Sequence, residues 1–94
     1  MTGRQAAVLR VGGTGVAWRE TGGEVVVLDL ASSVYFGLNP AAAGLWRRLA
    51  DGATRPDLVA TLLADGAADE AAAVRDVDTF LGQLREAGLL RQEA

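Results

Sequence analysis

Ser32 and Ser33 are adjacent hydroxyls, and Asp76 and Asp78 stand two apart in a helical stretch. A serine nucleophile needs a neighbouring base, and the chain has no His and no Lys to serve as one. It has no Cys either, so thiol nucleophiles, disulfides and thiolate metal sites are excluded. Two carboxylates two apart on a helix diverge and cannot share a proton or a reacting atom, so a solvated face is the plain reading of Asp76 and Asp78. Gly12-Gly13-Thr14-Gly15 looks superficially like a phosphate loop. It lacks the strand before it, the helix after it and the Lys within it. Asp69, Glu70, Asp76 and Asp78 do not have the spacing of a calcium loop. The expectation is a protein with no catalytic residues, no metal ligands and no cofactor: not an enzyme.

Binding has more to work with. The stretch Val34 to Trp46 reads V-Y-F-G-L-N-P-A-A-A-G-L-W and changes from strand period to helix period within it. Val34, Phe36 and Leu38 alternate with Tyr35 and Gly37, which predicts an extended segment with one apolar side facing the core. Asn39 suits a helix N-cap, and Pro40 suits the first helical position, where no N–H is needed. An unpaired strand edge here exposes N–H and C=O groups to which an extended peptide can add. Gly37 allows another backbone to come close, and Tyr35, the only tyrosine, offers a flat surface with a polar tip. The bland alternative stays open: an exposed strand aromatic beside a glycine that eases a bend.

The elements that must position this strand follow from pattern. Residues 1–15 form an N-terminal segment; Ala7 to Val11 is either a short strand or lies against the domain, and the first residues are expected to be loose. Val16 to Glu20 alternates as a half-buried strand, Thr21-Gly22-Gly23 is a turn, and Glu24 to Leu30 is a β-branched strand. A turn at Ala31 to Ser33 leads into a strand over Ser33 to Leu38. Helices are predicted over Pro40 to Ala50, from a Thr54 cap to Gly66 with Leu58, Val59, Leu62 and Leu63 buried, and over Asp69 to Ala87 with a stripe of Val74, Val77, Leu81 and Leu84. Phe80 lies beside that stripe and reads either as core or as the wall of a groove. Gly88 and Leu89 suit a Schellman closure. Strands before helices make an α+β domain, a three-stranded antiparallel sheet followed by three helices, in a winged-helix-like arrangement.

Charge narrows the partners. Residues 1–48 carry five Arg against Glu20, Glu24 and Asp29, net +2, while residues 49–94 carry four Arg against nine acids, net −5. An acidic helical half is a poor match to a phosphate backbone, so no nucleic acid is expected. No apolar run approaches the roughly 18 residues of a membrane span, and no signal-peptide pattern opens the chain. A soluble cytoplasmic protein with no membrane partner is the expectation.

Two patterns carry a resemblance. L-D-L-x-S-x-x-Y-F-G-L-N-P-A-A-A-G-L-W (Leu28 to Trp46) and D-V-x-x-F-L-x-x-L-x-x-x-G-L-L (Asp76 to Leu90) resemble the PqqD family, across residues 16–91. These are the recognition elements of ribosomally made, modified peptides. The resemblance implies a non-catalytic domain that captures the leader of a precursor peptide by strand addition and delivers it to a modifying enzyme. Carried onto this chain, it implies pairing along Ser33, Val34, Tyr35, Phe36, Gly37 and Leu38. It implies an apolar wall of Val77, Phe80, Leu81 and Leu84, with Asp76 contacting polar leader groups. The stand-alone size and the Arg/Ala/Gly-rich composition are similar to the leader-binding proteins of lasso-peptide biosynthesis, which act beside a leader peptidase and a cyclase. In those, a leader Tyr and Pro dock into hydrophobic pockets. The alternative branch presents its precursor to a radical SAM enzyme, in pyrroloquinoline quinone or similar biosynthesis. More remote readings are a winged-helix DNA-binding protein and a homodimer paired through the free edge strand.

Overall fold

The computed structural model describes residues 7–12 and 15–93. The expectation for the first residues, and part of the Gly12 to Gly15 loop, lie outside them. Eight elements follow in order: β1 (Val8–Val11), β2 (Val16–Thr21), β3 (Glu24–Asp29), β4 (Val34–Leu38), α1 (Pro40–Asp51), α2 (Arg55–Ala64), α3 (Glu70–Glu86) and β5 (Leu90–Glu93).

The antiparallel sheet has the order β2-β3-β4, as the alternating pattern predicts. Gly22 and Gly23 both have positive φ, 60° and 85°, which lets a two-residue turn follow the twist of the strands it joins. The next connection is longer. Ser33 sits in it at φ 60°, donating its N–H to the Asp29 carbonyl at 2.8 Å. The strand therefore begins at Val34, one residue later than the alternation suggests.

Each helix starts on the residue whose side chain satisfies its free N–H groups. The Asn39 side-chain oxygen accepts from Ala42 N–H at 2.9 Å, and Asp69 accepts from Ala72 N–H at 2.8 Å. Thr54 and Asp57 form a reciprocal capping box, Asp57 N–H to Thr54 Oγ1 at 3.2 Å and Thr54 N–H to Asp57 Oδ2 at 3.0 Å. These bonds hold the Asp57 carboxyl below its usual pKa, the Thr54 backbone N–H contributing most. At the end of α3, Leu89 N–H donates to Leu84 C=O at 2.9 Å and Gly88 N–H to Arg85 C=O at 3.1 Å. That is the Schellman pairing, and Gly88 takes the positive φ of 74° it requires.

The core lies between the inner face of the sheet and the helices. Val25 and Val27 from β3 and Trp46 and Leu49 from α1 are buried with Leu58 of α2 and Val77 of α3. Two expected core residues are outside it. Leu63 is 40% exposed, because α2 buries only Leu58, Val59 and Leu62. Val34 is 46% exposed, whereas Phe36 and Leu38 on the same side are half-buried. The inward side of β4 faces a gap rather than a complete helical layer.

β1 and β5 form a second ribbon that joins the chain ends, with Val8 opposite Glu93 and Val11 opposite Leu90. β1 is also tied to the loop between α1 and α2. Leu9 N–H donates to Ala53 C=O at 2.8 Å, and Ala53 N–H returns to Leu9 C=O at 3.0 Å. Within Ala7 to Val11, Val8–Val11 is a strand that also lies against the domain, and Leu90 to Glu93 is a strand that local pattern did not announce. Among the described residues, no helix is long and apolar enough to cross a membrane.

Candidate peptide-binding edge and cleft

β2 and β4 are the two edges of the sheet. β2 carries Arg19 and Glu20, charges of the kind that blunt an edge, and Glu20 is ion-paired with Arg47 of α1. β4 reads V-Y-F-G-L, with no charge, proline or bulge to discourage another strand.

The register fixes which backbone groups β4 offers. In an antiparallel pair, alternate residues exchange both backbone bonds. The two-residue hairpin makes Thr21 and Glu24 such a pair. At the far end Leu30 N–H donates to Gly15 C=O at 2.7 Å, continuing the same alternation through Val26 and Leu28. Val25, Val27 and Asp29 therefore turn their backbone groups toward β4, where Leu38, Phe36 and Val34 lie opposite them. Asp29 C=O, accepting from Ser33, agrees. The N–H and C=O of Tyr35 and of Gly37 are left facing the free edge.

Behind that edge lies a cleft of ≈ 350 Å³. Phe36, Gly37 and Leu38 form one wall, Phe80, Gln83, Leu84 and Ala87 of α3 the other, and Val27, Trp46 and Leu89 close it. The Trp46 ring meets Trp18 of β2 edge-to-face, centroids 6.0 Å apart, and its buried indole N–H has no acceptor among the described residues. A second hollow of ≈ 310 Å³ shares Phe80 and Gln83 with the first and continues along the start of α1, past Asn39, Ala42 and Leu45. Asp76 and Thr79 stand on its α3 side.

The expected site residues separate accordingly. Phe36, Gly37, Leu38, Phe80 and Leu84 meet at the first hollow, and Asp76 joins the second with Phe80. A Cβ on Gly37 would meet nothing within 4 Å, so the space beside it is open. Tyr35 is 72% exposed on the outer face of the sheet, and Val34 is exposed at the start of the edge. Ser33 is in the turn before it. Val77 is fully buried and lines neither hollow. Leu81 faces a different groove, where it meets Leu9, Arg55, Asp78 and Arg85 on the other side of α3. There Arg55 grips Asp78 through two bonds, Nε–Oδ1 at 2.7 Å and Nη2–Oδ2 at 2.8 Å. That contact holds the Asp78 carboxyl below its usual pKa and raises the Arg55 guanidinium.

Trp46, Gln83, Ala87 and Leu89 are cleft residues that the sequence reading did not single out. Helical spacing contains part of the signal: Phe80, Gln83, Leu84 and Ala87 recur at i, i+3, i+4 and i+7 and so share a face. A hydrophobic stripe cannot reveal it, since one of the four is polar and one is alanine. Among the described residues, no His, Cys, Asp and Glu side chains are grouped to hold a metal ion.

The family model for coenzyme PQQ synthesis protein D (PqqD) matches residues 24–90, a span that runs from β3 through the cleft-forming helix into β5. The chain belongs to the PqqD family. Two solved structures of similar proteins support this at the level of the fold. TbiB1, in complex with the TbiA(beta) leader peptide, superposes with a TM-score of 0.80 at 28% identity, over 90% of this chain and 98% of that one. A lasso peptide synthetase B1, complexed with the leader peptide, superposes with a TM-score of 0.77 at 28% identity, over 88% of this chain and 96% of that one. No curated protein matches the chain.

Proposed function

We propose that this protein binds the leader segment of a ribosomal precursor peptide in lasso-peptide biosynthesis, by adding it as a strand to β4. The observation that carries the reading is the unblunted β4 edge beside an apolar cleft, in a fold shared with two proteins solved with leader peptides. Tyr35 and Gly37 each offer one N–H and one C=O, so the leader gains backbone bonds that do not depend on its sequence. Its residue opposite Phe36 turns inward, against Phe80 and Leu84, and this apolar burial supplies selectivity. The domain does no chemistry of its own. It presents the bound precursor to a modifying enzyme, here a leader peptidase and a cyclase.

The test is an amide NMR titration with the leader peptide encoded beside the gene, read together with hydrogen exchange. The amides of Tyr35 and Gly37 exchange quickly in the free protein and become protected on binding. Those of Phe36 and Leu38, already bonded to β3, are slow in both states. Protection elsewhere, with the Tyr35 and Gly37 amides still fast, refutes strand addition at this edge.

A further inference from the structure

The ladder on β4 stops at Leu38, because Asn39 caps α1 and Pro40 begins it without an N–H. A leader strand that continues the antiparallel order of β2-β3-β4 runs opposite to β4, so its residues beyond Leu38 are on its N-terminal side. Side chains on one face of a strand recur every second residue. The next inward position N-terminal to the residue opposite Leu38 therefore projects over the second hollow, which shares Phe80 and Gln83 with the first.

That hollow has an apolar floor and an acidic edge. Ala42, Leu45 and Phe80 form the floor. Asp76 stands at the edge, exposed, with no ion pair among the described residues. The contrast with Asp78, two residues on, is instructive: that carboxylate is held by Arg55 in the groove on the other side of α3. Asp76 also belongs to the half of the chain in which nine acids outnumber four Arg. A long cationic side chain matches both parts, laying its methylenes on apolar surface while its head stays at the solvent edge.

We infer that Asp76 is a specificity-determining residue that selects a Lys or Arg in the leader, two to four positions N-terminal to the apolar residues held opposite Phe36 and Leu38. The inference rests on the leader-binding reading and adds the charge, direction and spacing of one recognition position. The floor holds the stem of that side chain, and Asp76 holds its charge.

The test is selection of a random peptide display library on the full chain, with wild type and Asp76→Asn in parallel and Glu86→Gln as a control on the same helix. Asp76 is exposed, so the substitution leaves the fold intact, which circular dichroism checks. Wild type and Glu86→Gln enrich an alternating apolar pair with Lys or Arg on its N-terminal side. Asp76→Asn keeps the apolar pair and loses the basic preference. For one enriched peptide, Asp76→Asn weakens binding about 1.4- to 5-fold at low salt, the range of a solvent-exposed ion pair. It has no effect on the same peptide with its Lys or Arg replaced by Met. A basic preference that survives in Asp76→Asn overturns the inference, as does selection of apolar or hydroxyl side chains at that position, with leader binding still standing. Failure to enrich any alternating apolar pattern overturns leader binding, and this inference with it.

Discussion

Proline substitution along β4 tests the assignment of its backbone groups directly. Proline has no N–H and is tolerated on an edge strand only where that N–H faces solvent. Tyr35 N–H faces the free edge, and Phe36 N–H faces Val27 of β3. Tyr35→Pro therefore removes no bond of the free protein, and the lost side chain is largely exposed. Its melting temperature should stay within a few degrees of wild type. Phe36→Pro breaks a ladder bond, leaves an acceptor on β3 unpaired and removes a half-buried ring. Together these cost about 2–4 kcal/mol, which lowers the melting temperature by at least about 8 °C in a domain of this size. Phe36→Ala isolates the ring's share. Leader binding should respond differently. Tyr35→Pro deletes one of the four edge groups, and its ring crowds the incoming strand. A lost bond of about 0.5–1.5 kcal/mol weakens binding by roughly two- to thirteen-fold, before the crowding is added. Thermal unfolding and calorimetric titration, run on the same preparations, measure the two effects. If Tyr35→Pro destabilises the fold as much as Phe36→Pro, the alternation along β4 is wrong. If it folds normally and binds leader as tightly as wild type, the leader does not pair with this edge.

The cleft and the helix caps make further predictions. Leu84→Ala, on the α3 wall, should weaken leader binding clearly, whereas Arg19→Ala on the opposite edge strand should leave it unchanged in a calorimetric titration. Leu84 is also core, so the variant costs about 2–5 kcal/mol of stability, and binding is compared below its melting point. The Asp57 capping box gives a pH dependence. Its carboxyl is held below the ordinary value of 3.8, so its stabilisation is fully present above that value. It is lost as pH falls through the lower, folded-state value. Asp57→Asn should therefore reduce stability at pH 7 and flatten its fall in acid; an unchanged acid profile in denaturant melts refutes a role for this carboxylate.

Elements whose causes are local were legible in the chain alone. Asn39-Pro40, Thr54 with Asp57, and Gly88-Leu89 each act within about five residues, and each cap forms where its spacing predicts. Gly22-Gly23 closes the first hairpin for the same reason. The lack of His, Lys and Cys removed imidazole bases, lysine amines and thiol nucleophiles before any fold was known, and the order of three strands joined by short turns put Val34 to Leu38 at one edge of a meander. Tertiary structure decided what depends on distant partners. β1 finds β5 at the opposite end of the chain, and neither four-residue segment carries a signal that names the other. A hydrophobic stripe states that a helix face is apolar but not what covers it. Val77 and Leu81 therefore read alike, yet Val77 is buried in the core and Leu81 faces the groove on the far side of α3, while Phe80, beside the stripe, lines the cleft next to β4. Their roles differ because sheet, helices and terminal ribbon approach α3 from different sides. Only that packing leaves the β4 edge bare, with a cleft behind it.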